Sequence, residues 1–262
     1  MPPVGIIGGT SVYSLSFNTE ERTVDTNYGQ AFVYVGQWGD RQVVFLARHG
    51  KGHQVPPHRI NYRANIMALK QLGVVEVLAT ASVGSLVEYF KPGDLVLLDQ
   101  FIDFTQGRPT TFFDGGEKGV VHIDLTEPYC PRLRKIICAQ DWQGLLCQLH
   151  PTGTYVCTEG PRFETPAEIT MFKHFGGHLV GMTNVPEVIL AREAELCYMT
   201  VAVVTNYAAG ISREPLTHRE VVDTMAKTQG NLLKVIQGFI SQPFSAEVEC
   251  SCRAALRELG QF

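Results

Sequence analysis

The chain of 262 residues is 45% hydrophobic and 18% charged, with a formal net charge of −4. That composition supplies a large core, and the lack of a basic block argues against nucleic acid as a partner. Val4 to Gly9 is too short for the apolar stretch of a secretory signal, and no apolar run reaches membrane-spanning length. The chain therefore reads as soluble and cytoplasmic. With no repeat, low-complexity tract or long linker, residues 1–262 read as one domain, ending in a tail over residues 243–262.

Predicted strands alternate with predicted helices, the pattern of an α/β fold around a central sheet. Val4 to Ile7 reads as a buried strand running into Gly8-Gly9-Thr10. Ala31 to Val35 and Gln42 to Ala47 form a hairpin, with Gly39-Asp40 near its turn. Ile60 to Leu72 reads as a helix, followed by strands at Val74 to Thr80 and Leu95 to Leu98. In the second half, strands fall at Thr154 to Cys157, Leu179 to Met182 and Tyr198 to Thr205. Helices fall at Pro166 to Phe175, Val185 to Glu195 and Val221 to Ile240, the last with apolar residues at helical spacing. Three helix starts carry capping signals: Thr165-Pro166-Ala167-Glu168, Asn184-Val185-Pro186-Glu187 and Thr217-His218-Arg219-Glu220.

Four segments carry polar residues at the ends of these strands. Gly8-Gly9-Thr10 is either a tight turn or a loop whose backbone approaches an anion. Arg48 and His49 follow an apolar strand, where a guanidinium either binds phosphate oxygens through its fork or makes a structural ion pair. His53 and His58 lie nearby without a carboxylate or cysteine at metal-ligand spacing. Thr158 to Thr165 offers Phe163, able to stack on a flat ring, and Glu164, able to accept from a ring N–H. The plainer alternative there is a loop with one core aromatic and a solvated acid. Asn206, after four apolar residues, is either a turn residue or a satisfied functional group. The seven cysteines, Cys130, Cys138, Cys147, Cys157, Cys197, Cys250 and Cys252, show no Cys-x-x-Cys pair and no zinc spacing, so no metal is expected.

Taken in order, these segments resemble the trimeric purine nucleoside phosphorylase and methylthioadenosine phosphorylase family. The resemblance runs from Val4 to Ile240. It rests on Gly5-Ile6-Ile7-Gly8-Gly9-Thr10, Ala47-Arg48-His49-Gly50, Asn61-Tyr62-Arg63-Ala64-Asn65, Gly84-Ser85-Leu86, Pro92-Gly93-Asp94, Asp99-Gln100-Phe101-Ile102-Asp103, Glu159-Gly160-Pro161-Arg162-Phe163, and Met182-Thr183 with Val185-Pro186-Glu187.

The resemblance implies a mixed sheet flanked by helices, a homotrimer or dimer of trimers, and phosphorolysis of a purine nucleoside. It implies a phosphate site of Thr10, Arg48, His49, Ala81, Ser82 and Thr183, although the methylthioadenosine branch often has threonine at Ala81. Met182 would lie under the ribose, Phe163, Glu164 and Asn206 would face the base, and Ala208 would complete the nucleoside site. Asn206, Arg48 and His49 would be catalytic. No metal or organic cofactor is implied; phosphate is a co-substrate.

At the base pocket the methylthioadenosine branch reads Thr-Asp-Tyr-Asp where this chain has Thr205-Asn206-Tyr207-Ala208, and serine where it has Glu164. Glu164 with Asn206 resembles enzymes of inosine and guanosine, and His218 resembles a histidine that those enzymes aim at the 5′-hydroxyl. Phosphorylases of methylthioinosine or methylthioadenosine are the near alternatives. A nucleoside hydrolase would need an aspartate cluster for calcium that is absent here, and a nucleoside-binding protein would not need these polar groups. Cys250-Ser251-Cys252 resembles the Cys-x-Cys disulfides of heat-stable archaeal members of the family.

Overall fold

The computed structural model describes residues 1–9, 19–50, 52, 54–211, 218–244 and 250–256, with the backbone alone at 218. Eleven strands form one mixed sheet: β1 Val4–Gly8, β2 Thr19–Thr26, β3 Gly29–Trp38, β4 Arg41–Ala47, β5 Glu76–Ser85, β6 Leu95–Leu97, β7 Gln100–Phe104, β8 Leu149–His150, β9 Thr154–Thr158, β10 Leu179–Gly181 and β11 Cys197–Tyr207. The helices are α1 Tyr62–Gln71, α2 Pro131–Cys138, α3 Pro166–His174, α4 Asn184–Glu193 and α5 His218–Ile240. No helix among the described residues is long and apolar enough to cross a membrane.

Side-chain alternation along the central strands divides the core into two layers. Ile7, Leu46 and Tyr198 point to one face, where Ile66 and Leu69 of α1 and Val188 and Leu190 of α4 cover them. Their neighbours Ile6, Phe45 and Met199 point to the other, where Leu133 and Ile137 of α2 and Ile236 and Phe239 of α5 pack. β1, β5 and β11 are buried almost end to end. That is why they read in the sequence as continuous apolar runs rather than alternating ones.

The expected α/β architecture is present, and the hairpin closes at Gly39-Asp40 with Trp38 opposite Arg41. The capping box at Thr165 forms in full: Thr165 accepts from the Glu168 backbone, and Glu168 accepts from Thr165 N–H at 2.7 Å. The one expected at Asn184 does not form. Val185 is extended (φ −111°, ψ 130°), the Val185–Pro186 bond is cis, and Asn184 and Glu187 turn inward to other partners. The capping expectation at Thr217 lies outside the described residues. Four elements have no counterpart in the sequence reading. β2 is a polar edge strand, β7 has no fully buried position, β8 is two residues long, and α2 contributes only Leu133 and Ile137 to the core.

The expected tail is a docked segment where described: Cys252 is buried against the α5 side of the sheet. At that end, Glu76 at the start of β5 takes one guanidinium on each oxygen, Arg41 and Arg132, both at 2.5 Å. Arg41 also donates to the carbonyls of Ile240 and Gln242, tying the end of α5 to the hairpin. Removing the acid leaves a buried guanidinium uncompensated. Glu76→Ala is therefore expected to lower unfolding free energy by about 3–5 kcal/mol in urea denaturation. An unchanged midpoint would show that the pairing does not hold this corner.

Candidate active site

The site begins as an interruption in the sheet. β1 runs parallel to β5 and pairs with it from Val4–Glu76 to Ile7–Ala79. β10 runs antiparallel to β5 and pairs with Ser85 and Gly84. The two strands thus approach each other head-on along one edge of β5 and stop short, leaving Thr80 to Val83 between their carboxyl ends. A cavity of about 620 Å³ opens there. Ser82 is the one exposed residue in a strand otherwise buried throughout, because it faces this space.

Near Thr80 the cavity wall is made by the residues after β4. Arg48 N–H donates to Gly8 O at 3.1 Å, carrying the end of β4 across to β1. Gly50 turns the chain at φ +71°. His49 and Val55 then bond reciprocally: Val55 N–H donates to His49 O at 3.0 Å, and His49 Nδ1 lies 2.9 Å from Val55 O. A carbonyl can only accept, so Nδ1 carries the proton. In the neutral ring, Nε2 is then an acceptor, suited to the hydroxyl of a protonated phosphate.

Arg48 is committed more heavily than the sequence suggested. Nε and Nη2 grip Glu187 at 2.6 and 2.7 Å, and Nη1 donates to Thr80 O at 2.9 Å. The fork expected on phosphate is on a carboxylate. Among the described residues, one N–H on each Nη is left to reach an anion. Burial opposes the guanidinium charge, but Glu187 outweighs it and raises the pKa further above its ordinary value. Glu187 is fully buried and outside the cavity lining, so the pair presents its positive end to the cavity. Tyr198 donates to Glu187 at 2.7 Å, and Thr200, Asn184 and Tyr129 continue the network behind it. Burial pushes the Tyr198 and Tyr129 phenols well above their usual range, so both act as donors.

Near Gly84 the wall is different. Asn206 is paired with Gly84 at a register shift in β11. Its Nδ2 donates to Tyr207 O at 2.9 Å, and its Oδ1 accepts from Thr205 at 2.7 Å. Flipping the amide would set two oxygens against each other, so the orientation is fixed. One N–H and one oxygen lone pair are left on the same amide. Glu164 accepts from Thr158 Oγ1 at 2.7 Å. Its burial lifts the carboxyl above the ordinary glutamate value, against the opposing Thr158 bond. Phe163, 44% exposed, forms the rim.

Close approach sets the glycines here. A Cβ on Gly160, at φ +64°, would fall 2.5 Å from Met182 Sδ, and one on Gly181 would overlap the Tyr155 hydroxyl. Met182 is thereby seated under the cavity, and Tyr155 Oη accepts from Thr183 N–H at 3.2 Å. Arg108 braces both loops from behind. It donates to the carbonyls of Glu159, Met182 and Val185 at 2.8, 2.9 and 2.7 Å, and to the Glu159 carboxylate at 3.1 Å.

Arg48, His49, Ala81, Ser82, Phe163, Glu164, Met182, Thr183, Asn206 and Ala208 all line this one cavity. Thr10, His53 and the side chain of His218 lie outside the described residues. Sequence reasoning missed Glu187, which looked like a helix cap, and Arg108, one arginine between Gly107 and Pro109 with no pattern around it. The apolar stripe of α5 divides: Val221 and Met225 line the cavity with Val222 and Gln229, Met225 also packing against the core, while Leu232, Ile236 and Phe239 enter the core. No group of three or more metal-type ligands occurs in this cavity among the described residues. The one such group lies at the other end of the strands.

A strand-end cavity with a guanidinium at one end and a fixed amide and a carboxyl at the other can offer donors to an anion and both donors and acceptors to a flat polar ring. The profile described as the Phosphorylase superfamily matches residues 3–241, and the chain belongs to that family. It is 54% identical to the 6-oxopurine nucleoside phosphorylase of Pyrococcus furiosus, over 98% of both chains. It is 47% identical to the probable S-methyl-5′-thioinosine phosphorylase of Methanocaldococcus jannaschii, over 97% of this chain and 98% of that one. Its fold matches the methylthioadenosine phosphorylase of Schistosoma mansoni in complex with adenine. The TM-score is 0.86 at 36% identity, covering 92% of this chain and 91% of that one.

Arg48→Ala removes an anion donor and also strands Glu187 as a buried charge. The expected loss of folding stability is about 3–5 kcal/mol, alongside weaker saturation by phosphate. Calorimetric melting together with phosphate titration of the initial rate checks both. A variant with wild-type melting would mean that the pair is not what holds β4 to α4.

Proposed function

We propose that the protein is a 6-oxopurine nucleoside phosphorylase, converting inosine or guanosine and phosphate to free base and ribose 1-phosphate. The observation that carries this reading is the Glu164–Asn206 pair at the Gly84 end of the cavity. A 6-oxopurine presents a donor at N1 and an acceptor at O6, whereas adenine presents the reverse. Ionised Glu164 can only accept and suits N1–H. Asn206 has one N–H left for O6 and one lone pair left for a proton on N7. Both free positions of the amide are used by a 6-oxopurine.

Cleavage of the glycosidic bond passes through an oxocarbenium-like state. In the proposed arrangement Arg48, His49, Ser82 and Thr183 hold phosphate beneath the sugar carbon, where its charge steadies the cation before it attacks C1′. Asn206 stabilises the departing base at N7. These donors are fixed by the fold, so little reorganisation accompanies charge development. Phosphate is the co-substrate, and the scheme needs no other cofactor. By the same resemblance the assembly is a homotrimer or dimer of trimers, and a monomer by light scattering at micromolar concentration would contradict that part.

The experiment is the release of hypoxanthine from inosine with and without phosphate, run beside adenosine. Turnover should require phosphate, and inosine should exceed adenosine roughly a hundredfold in kcat/KM, since two mispaired buried polar groups act together. Equal rates without phosphate, or comparable constants for the two nucleosides, would overturn the reading. Asn206→Asp should narrow the gap, mostly by weakening the 6-oxopurine reaction.

The raised carboxyl gives a pH signature. Below its folded pKa Glu164 is protonated, which removes the charge from its bond to N1–H and leaves a weaker acceptor. The fall of kcat/KM for inosine on acidification should therefore begin above the ordinary glutamate range. In Glu164→Gln that fall should vanish, while any limb due to phosphate itself stays. A limb unchanged by the substitution would remove Glu164 from the base contact.

One observation favours a second reading. Val221, Val222 and Met225 give α5 an apolar face on the cavity, suited to a 5′-methylthio group. A higher kcat/KM for 5′-methylthioinosine than for inosine would select that substrate while leaving the base assignment intact.

A further inference from the structure

The cysteines that looked scattered in the sequence converge. The sulfurs of Cys130, Cys197, Cys250 and Cys252 all lie within 4.8 Å of one another, three of the residues buried and Cys250 half-buried. Cys130 caps the start of α2, Cys197 opens β11, and Cys250 and Cys252 flank the start of a short 3-10 turn. All four are free thiols in this structure, including Cys250 and Cys252, which resemble the Cys-x-Cys disulfides of heat-stable members of the family. From these positions we propose that the four cysteines form a closed, tetrahedral, structural site for a zinc-type dication.

Three observations carry it. The first is spacing. Cys250 Sγ is 3.5 Å from Cys130 Sγ and 3.6 Å from Cys197 Sγ, so no one pair is singled out as a disulfide would require. A tetrahedron with metal–sulfur bonds of about 2.3 Å has edges of about 3.8 Å, close to these separations. The second is ligand type. Four sulfurs and no oxygen or nitrogen select a soft or borderline metal and leave no open position for chemistry. The third is charge. Four thiolates around a dication carry a net charge of −2, and the Arg132 guanidinium, bonded to Glu76, the register partner of Cys197, sets a positive charge beside them. The metal displaces the thiol protons to solvent, so occupancy falls on acidification.

The site is remote from the cavity. Cys197 and Asn206 sit near opposite ends of β11, about 30 Å apart along an extended strand. Its role is to fasten residues 250–256, which lie beyond the stretch shared with the family profile, onto the sheet. A long loop closed by a metal stabilises chiefly by restricting the unfolded chain.

The test uses the full chain, expressed with zinc in the medium and purified anaerobically without chelators. Elemental analysis should find one zinc per protomer, and cobalt substitution should give the absorption of tetrahedral thiolate coordination. Cys250→Ser with Cys252→Ser should abolish both and lower the melting temperature, with wild-type inosine turnover at moderate temperature. Less than stoichiometric zinc in the reduced protein, zinc retained by the double variant, or an intact mass showing two disulfides in the anaerobic sample would each overturn the proposal. If the double variant fails to fold, native-state alkylation of the unmodified protein decides the matter. Protection of four thiols that is lost on chelation supports the site, and protection unaffected by chelation refutes it.

Discussion

Everything at the candidate site depends on two strands sharing one edge of β5 and ending before they meet. Because β1 and β10 approach from opposite directions, both carboxyl ends open onto the same four residues of β5. β11 lines the whole of the opposite edge and, past a register shift after Val204, delivers Asn206 beside Gly84. An all-parallel sheet would set its strand ends along one rim. Reversing the β7–β9–β10 half relative to β5 turns that rim into an enclosed slot with a different chemistry at each end.

That slot needs polar groups placed in a dry wall, and each is held by a partner behind it. Arg48 is held by Glu187, Glu187 by Tyr198, Thr183 by Tyr155, and Asn206 by Thr205 and Tyr207. A buried ion pair such as Arg48–Glu187 is a weak source of net stability, since desolvating both groups offsets most of their attraction. Its use here is orientation. The pair is neutral as a unit, so in the proposed function phosphate is held by directed N–H groups rather than by accumulated positive charge, consistent with a chain of net charge −4.

Much of this was legible in the sequence because strand ends are marked by composition. Arg48 and Asn206 each follow an apolar strand, and a polar group there must be satisfied or used. The two-layer core was implicit in the buried runs of β1 and β11. What stayed hidden depends on contacts between distant segments. Glu187 sits in a capping pattern, and nothing local says that Pro186 and an extended Val185 turn it toward Arg48. Arg108 bridges two loops far from it in sequence. The apolar stripe of α5 obeys one period throughout, yet Val221 and Met225 reach the cavity while Leu232, Ile236 and Phe239 enter the core. The cysteine cluster escaped a search for short ligand spacings because its members come from the starts of a helix and a strand and from the chain's last described turn.

The central claim is that one slot holds phosphate at its Thr80 end and a 6-oxopurine at its Gly84 end, together. A crystal structure with phosphate and hypoxanthine tests it most directly. The account predicts phosphate within hydrogen-bond distance of Arg48, Ser82 and Thr183, with N1 of the base on Glu164 and O6 on the Asn206 amide. Hypoxanthine bound elsewhere, or seated so that N1 faces away from Glu164, would contradict it.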